Sequence, residues 1–144
     1  MPAASPTLSL DDIDAAYWAA LAEGRLTLQR CACGLCWMPP RAACPTCLGS
    51  HWTWETAHGG GHLKSWVIYH VAFHDAFRDR LPYNVALVEL DEGVRLITNI
   101  VADNALLRAE ARVRFVATPG SRAEAPPAST REGDRTLALF ELVP

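Results

Sequence analysis

The segment RCACGLCWMPPRAACPTC, residues 30–47, holds every cysteine of the chain: Cys31, Cys33, Cys36, Cys44 and Cys47. Nothing else in the sequence constrains the fold as tightly. Cys44 and Cys47 lie three positions apart in CPTC, so both thiolates can face one ion while backbone N–H groups of the turn support the sulfurs. The other half offers CAC at 31–33 and CGLC at 33–36, and Cys33 belongs to both. An odd number of cysteines in one cluster fits a metal site better than a disulfide framework. Two knuckles at this separation suit a zinc ribbon clamping a single ion. Four sulfur ligands leave no position for water, so the expected Zn²⁺ is structural rather than catalytic. Four of the five cysteines are needed, and Cys31 and Cys36 compete for one place.

The flanking segments alternate like strands: RLTLQR at 25–30 before the cluster and HWTWE at 51–55 after it. Upstream, SLDDIDAAYWAALAEG predicts a helix. Ser9 can cap it, Asp11 and Asp12 suit its positive end, and Gly24 can stop it. Ile13, Tyr17 and Leu21 recur every four residues and form one face, with Trp18 beside them. That face either packs on the chain's own core or docks on a partner. HGGGH at 58–62 predicts a flexible joint. Strand signals follow in HLKSWVIYHVAF, YNVALVEL, VRLITNIV, ARVRFVAT and RTLALFELV. DEG joins the second and third as a hairpin turn, DNALLRAE is a short helical turn, and PGSRAEAPPASTREGD is a long loop. Five strands with a helical turn between the third and fourth form the pattern of an OB barrel. The expected architecture is mainly β: tail and helix at 1–24, a rubredoxin-like zinc ribbon at 25–57, and a five-stranded OB-fold domain at 58–144.

Several function classes are disfavoured. With 144 residues, half of them hydrophobic, the chain can build a real core. Its net charge of −3 argues against a general affinity for nucleic acid or anionic membranes. No stretch approaches the roughly 20 apolar residues of a membrane span. MPAASPTLSLDD lacks the basic start and apolar run of a signal peptide, so a cytoplasmic protein with reduced thiols is expected. The alternative of a single-stranded nucleic-acid module needs stacking aromatics and a basic groove. The second strand offers Tyr83 but also Glu89, with Asp91 and Glu92 following, and the third has no aromatic. His51, His58, His62, His70 and His74 complete no recognisable catalytic set, so independent turnover is not expected.

Cys33-Gly34, Pro39-Pro40-Arg41, CPTC, the Trp-rich strand, the glycine run and PYNVALVELDEGVRLITNIV together resemble a bacterial and archaeal family. It is the zinc-ribbon plus OB-fold family catalogued as domain of unknown function thirty-five, and the resemblance spans about residues 10–142. Its usual Cys-x-x-Cys-Gly would place the first cysteine on Arg30, and Cys31 sits one place late. Family register therefore favours Cys31 with Cys33, whereas generic knuckle spacing favours Cys33 with Cys36. The resemblance implies a non-catalytic accessory subunit in a hetero-oligomer. Its partner would be a thiolase-like acyl-CoA enzyme, a lipid-transfer-type aldolase of steroid side-chain breakdown, or a hot-dog-fold hydratase. It also implies a contribution to acyl-CoA binding. FHDAFRDRLPY at 73–83 joins the first two barrel strands, where OB folds commonly bind ligands. Phe73 and Phe77 would contact the acyl or pantetheine chain, and Arg78 and Arg80 the CoA phosphates. The competing reading is an ordinary loop whose arginines are neutralised by Asp75 and Asp79. Arg41 pairs either with a carboxylate across the ribbon or with substrate.

Overall fold

Helix α1 (Leu10–Ala22) opens the part of the chain, residues 10–118 and 137–144, that the computed structural model describes. The expected cap at Ser9 and the loop at 119–134 lie outside the described residues. The helix stops at Gly24, whose φ of +82° an L side chain rarely adopts, and Arg25 N–H donates back to the Ala20 carbonyl at 2.9 Å. Ile13 and Leu21 are buried, while Tyr17 and Trp18 are half-buried and meet edge to face at 5.4 Å. Of the two readings of this face, the structure shows packing on the chain's own core.

Strand β1 (Thr27–Cys31) is the middle of a three-stranded sheet, between β2 (Cys36–Trp37) and β3 (Trp52–Thr56). The two-residue β2 carries too little periodic text to be visible in the sequence. The remaining strands are β4 (Gly60–Tyr69), β5 (Tyr83–Leu90), β6 (Arg95–Thr98), β7 (Arg112–Thr118) and β8 (Leu137–Leu142). They form an antiparallel sheet in the order β6-β5-β4-β7-β8. Its ends curl together: Ile100 bridges Phe140 in parallel, and Val101 N–H donates to the Phe140 carbonyl at 2.7 Å. A five-stranded curled sheet closed in this way is the OB architecture. The closure also explains why β6 is shorter than VRLITNIV, since residues after Thr98 leave β5 to meet β8.

In β5 the inward set Asn84, Ala86, Val88 and Leu90 is buried and the outward set is half-buried, the period of two that a strand imposes. Ala86, Val88 and Leu90 join Leu63, Val113 and Phe140 in a core that also takes in Leu21 of α1 and Leu26 and Leu28 at β1. Helix, one face of the ribbon and barrel therefore share one apolar cluster, while Cys31, Trp37 and Cys44 form a second one on the ribbon's other face. The glycine run is not a loose joint. Gly60 and Gly61 already pair in β4, and a Cβ on Gly61 would run into the backbone of β5.

Candidate metal centre and barrel mouth

Two tight turns bring the thiols together. The first is the β1–β2 hairpin, where Gly34 takes φ +96° and its N–H donates to the Cys31 carbonyl at 2.9 Å. The second is the CPTC knuckle, closed by Leu48 N–H to the Cys44 carbonyl at 3.0 Å and Cys44 N–H to the Gly49 carbonyl at 2.9 Å. The sulfurs of Cys31, Cys33, Cys44 and Cys47 all lie within 4.8 Å of one another. Cys31 and Cys47 are 3.5 Å apart and Cys33 and Cys44 3.7 Å, far beyond a disulfide's ~2.05 Å. A tetrahedron with Zn–S bonds of ~2.3 Å has edges of about 3.8 Å, so the donor set fits a tetrahedral metal ion.

Two of the four thiols are shifted in opposite directions. Burial raises the Cys44 thiol, but the backbone N–H groups of Cys47 and Thr46 stabilise its thiolate and draw it down to about 7. For Cys31 the Cys33 backbone favours the thiolate, yet burial and the thiols of Cys33, Cys47 and Cys44 push it up to about 12. Four thiolates at these distances would repel one another strongly, which is what holds Cys31 protonated without a metal, and a Zn²⁺ held by the four sulfurs would offset that repulsion.

The position of Cys36 follows from strand register. Cys36 opposes Arg30 in the β1–β2 pair, and Trp37 opposes Gln29. Opposed residues share a face, and successive residues alternate. Cys36 therefore lies on the face of Leu28 and Arg30 and packs against the main core, whereas Trp37 clusters with Cys31 and Cys44 on the other face. Among the described residues, Cys31 stands with the other three sulfurs and Cys36 does not.

Two buried polar residues have no forerunner among the candidate site residues. Gln29 is fully buried; its Nε2 donates to the Arg41 carbonyl at 2.8 Å and its Oε1 accepts the Arg41 N–H at 2.7 Å. The amide thus replaces a strand partner for the Pro-Pro-Arg segment. Asn84 grips Ile100 in the same way, accepting its N–H at 2.7 Å and donating to its carbonyl at 2.9 Å, and so helps close the barrel. The alternation of YNVALVEL already places Asn84 inward, the one signal that it must be fastening something.

The loop at the barrel mouth folds as a 3₁₀ turn, Asp75–Arg80. It does not present its four candidate ligand contacts as one set. Phe73 is 86% exposed, at 6.3 Å from the Tyr69 ring. Phe77 is half-buried against Tyr83 at 5.6 Å, and Tyr83 stacks on Tyr69 at 5.2 Å. Arg78 is held by Asp75 at 2.6 Å. Arg80 lines a cavity of about 640 Å³ with Asp79, Tyr83, Asn84 and Asn104, and burial lowers its pKa. Arg41 makes no pair across the ribbon among the described residues; only its backbone is bound.

A ribbon of four convergent thiols continuous with an OB barrel defines a zinc-ribbon–OB protein. The ChsH2 rubredoxin-like zinc ribbon domain matches residues 18–55, and the ChsH2 C-terminal OB-fold domain matches residues 54–118. A solved structure described as an Ltp2-ChsH2(DUF35) aldolase superposes with a TM-score of 0.72 and 31% identity, covering 99% of this chain and 98% of that one. The chain belongs to the ChsH2 (DUF35) family. A probable enoyl-CoA hydratase alpha subunit of Thermomonospora curvata is 44% identical over 90 residues, 61% of this chain and 28% of that protein. A DUF35 domain-containing scaffold protein of Methanothermobacter thermautotrophicus is 37% identical over 78 residues, 53% of this chain and 58% of that protein. The chain thus spans about a quarter to somewhat over half the length of these two relatives. Among the described residues no helix is long and apolar enough to cross a membrane.

Proposed function

We propose that this chain is a non-catalytic accessory subunit of a thiolase-superfamily acyl-CoA enzyme, an aldolase or acyltransferase of lipid or steroid side-chain catabolism. The observation that carries this reading is the near end-to-end likeness to a chain of a DUF35 aldolase. The hydratase-subunit relative points to the same acyl-CoA chemistry. In this reading Cys31, Cys33, Cys44 and Cys47 hold one structural Zn²⁺, Cys36 stays free, and the hetero-oligomer works in the cytoplasm. The barrel mouth contributes to acyl-CoA binding. Arg80 supplies a fork for phosphate beside the cavity, and Phe73 and Phe77 flank the acyl or pantetheine arm. Arg78 has a smaller part, because it is largely exposed and does not line the cavity.

The test is purification of the tagged chain from its own cells, with identification of what binds it. A thiolase-fold acyl-CoA enzyme is the expected partner, and the chain alone should not turn over acyl-CoA thioesters. In the assembled complex, Arg80→Ala should weaken binding of a CoA thioester by up to about 1.5–3 kcal/mol, the scale of a hydrogen bond to a charged group. Arg78→Ala should cost less. Turnover by the isolated chain, or a partner unrelated to acyl-CoA chemistry, contradicts the proposal.

A further inference from the structure

Arg41 differs from the other cations of the described chain. Arg25, Arg30, Arg78, Arg95, Arg112, Arg114 and Lys64 are ion-paired, and Arg108 donates to two carbonyls. Arg80 also has a partner. Among the described residues, only the Arg41 guanidinium has no ion pair or hydrogen bond. Its main chain, by contrast, is pinned at both N–H and C=O by the buried Gln29 amide. The next residue is held as well, since Trp52 Nε1 donates to the Ala42 carbonyl at 2.9 Å. Pro39 and Pro40 stiffen the approach. Because the backbone is already fixed, binding an anion would order only the Arg41 side chain and no main chain.

A second feature of the same β2–β3 connection is independent of the first. Leu48 takes φ +60° with 77% of its surface exposed. A left-handed backbone disfavours any residue with a Cβ, and glycine is the usual solution. Leucine at this position gains nothing from the chain's own core. Its burial elsewhere would offset the strain.

We infer that the β2–β3 connection is a rigid docking tip, with Arg41 pairing to a carboxylate of the partner protein and Leu48 filling an apolar pocket of that protein. This rests on the proposed accessory role and names the surface and partner chemistry that serve it. Charge complementarity selects the occupant. The chain is net negative, and among the described residues Arg41 is the cation left to match an external anion. The apolar Leu48 on the same connection favours a protein surface over a solvated phosphate.

The measurement uses the intact zinc-loaded chain and the enzyme subunit identified by co-purification, with affinity followed by calorimetry. Arg41→Ala should weaken association about tenfold, roughly one interface contact, and flatten its salt dependence. Leu48→Gly should weaken it by a similar factor and leave the salt dependence in place. Alone, Arg41→Ala should melt like the parent and Leu48→Gly at the same or a higher temperature, because glycine relieves the left-handed backbone. Parent-like association of both variants overturns the inference while leaving the accessory role intact. So does a lower melting temperature or lost zinc for Leu48→Gly, which makes Leu48 a structural residue. Weaker CoA thioester binding by Arg41→Ala with unchanged association assigns Arg41 to the ligand and also overturns it. If the parent itself captures no acyl-CoA enzyme, both proposals fall together.

Discussion

Gly60 and Gly61 stand side by side in β4 and meet different obstacles. A Cβ on Gly61 would lie 2.5 Å from the Glu89 carbonyl oxygen and 3.1 Å from its carbon, both backbone atoms of β5. A Cβ on Gly60 would meet Arg112 Nη2 at 2.5 Å and Asp91 Oδ2 at 2.7 Å, the tips of two flexible side chains. A backbone wall cannot swing aside, whereas an ion pair on the surface can. Gly61→Ala should therefore cost about 1–3 kcal/mol of stability, the usual scale of overpacking, and Gly60→Ala clearly less. Urea unfolding of the two variants decides it, and equal costs would remove the distinction. The run that looks like a hinge in the sequence is a place of close approach, which composition cannot distinguish from flexibility.

Strands of this protein are laced by ion pairs in register. Glu89 faces Arg95 across β5 and β6, and Arg114 faces Glu141 across β7 and β8. Arg30 ties β1 to Glu55 of β3, and Arg112 of β7 binds Asp91 at the β5–β6 turn through two bonds of 2.6 and 2.5 Å. Hydrogen bonds from Arg30, Arg95 and Arg112 hold the carboxyls of Glu55, Glu89 and Asp91 below their usual range. A depressed folded pKa means stability that is present above the unfolded values of about 3.9–4.3 and lost as pH falls through the folded ones. Thermal melting of Arg112→Gln and Arg95→Gln should thus fall below the parent at pH 7, with the gap closing below about pH 4. The gap should be small and shrink with salt, since these pairs are partly exposed. A gap independent of pH would mean that the arginines act through packing alone.

The whole molecule should unfold as one cooperative unit, because β1 gives Leu28 to the barrel core and Cys31 to the cysteine cluster. Leu28 of β1, with Cys36 and Met38, packs on the barrel core, while Cys31, Trp37 and Cys44 form a second cluster on the other face of the same strands, so loosening β1 would disturb both. Metal binding free energy then becomes folding free energy for the full chain. Elemental analysis should find about one zinc per chain, and a strong chelator should lower the melting of ribbon and barrel together in a single transition. Cys44→Ser should lose the metal, while Cys36→Ser should keep it. Separate ribbon and barrel transitions, or a metal-free chain that melts like the parent, would count against this picture.

Much of the architecture was legible because it rests on local chemistry. Strand signals marked the five barrel strands, and YNVALVEL coincides with β5, whose burial repeats with period two as a half-buried strand must. The cysteine spacings announced a ribbon because two knuckles with thiols at short separation serve one ion. What stayed hidden depends on which surfaces meet. Cys31 and Cys36 looked equally suitable until the register of β1 against β2 put them on opposite faces. Gln29 and Asn84 are ordinary polar residues until distant backbone comes within hydrogen-bonding reach of their amides. Local sequence determined the elements and the kind of metal site. Only the tertiary structure decided which thiol stands with the other three sulfurs and which of the described cations is left without a partner, because both depend on residues that the chain brings together from a distance.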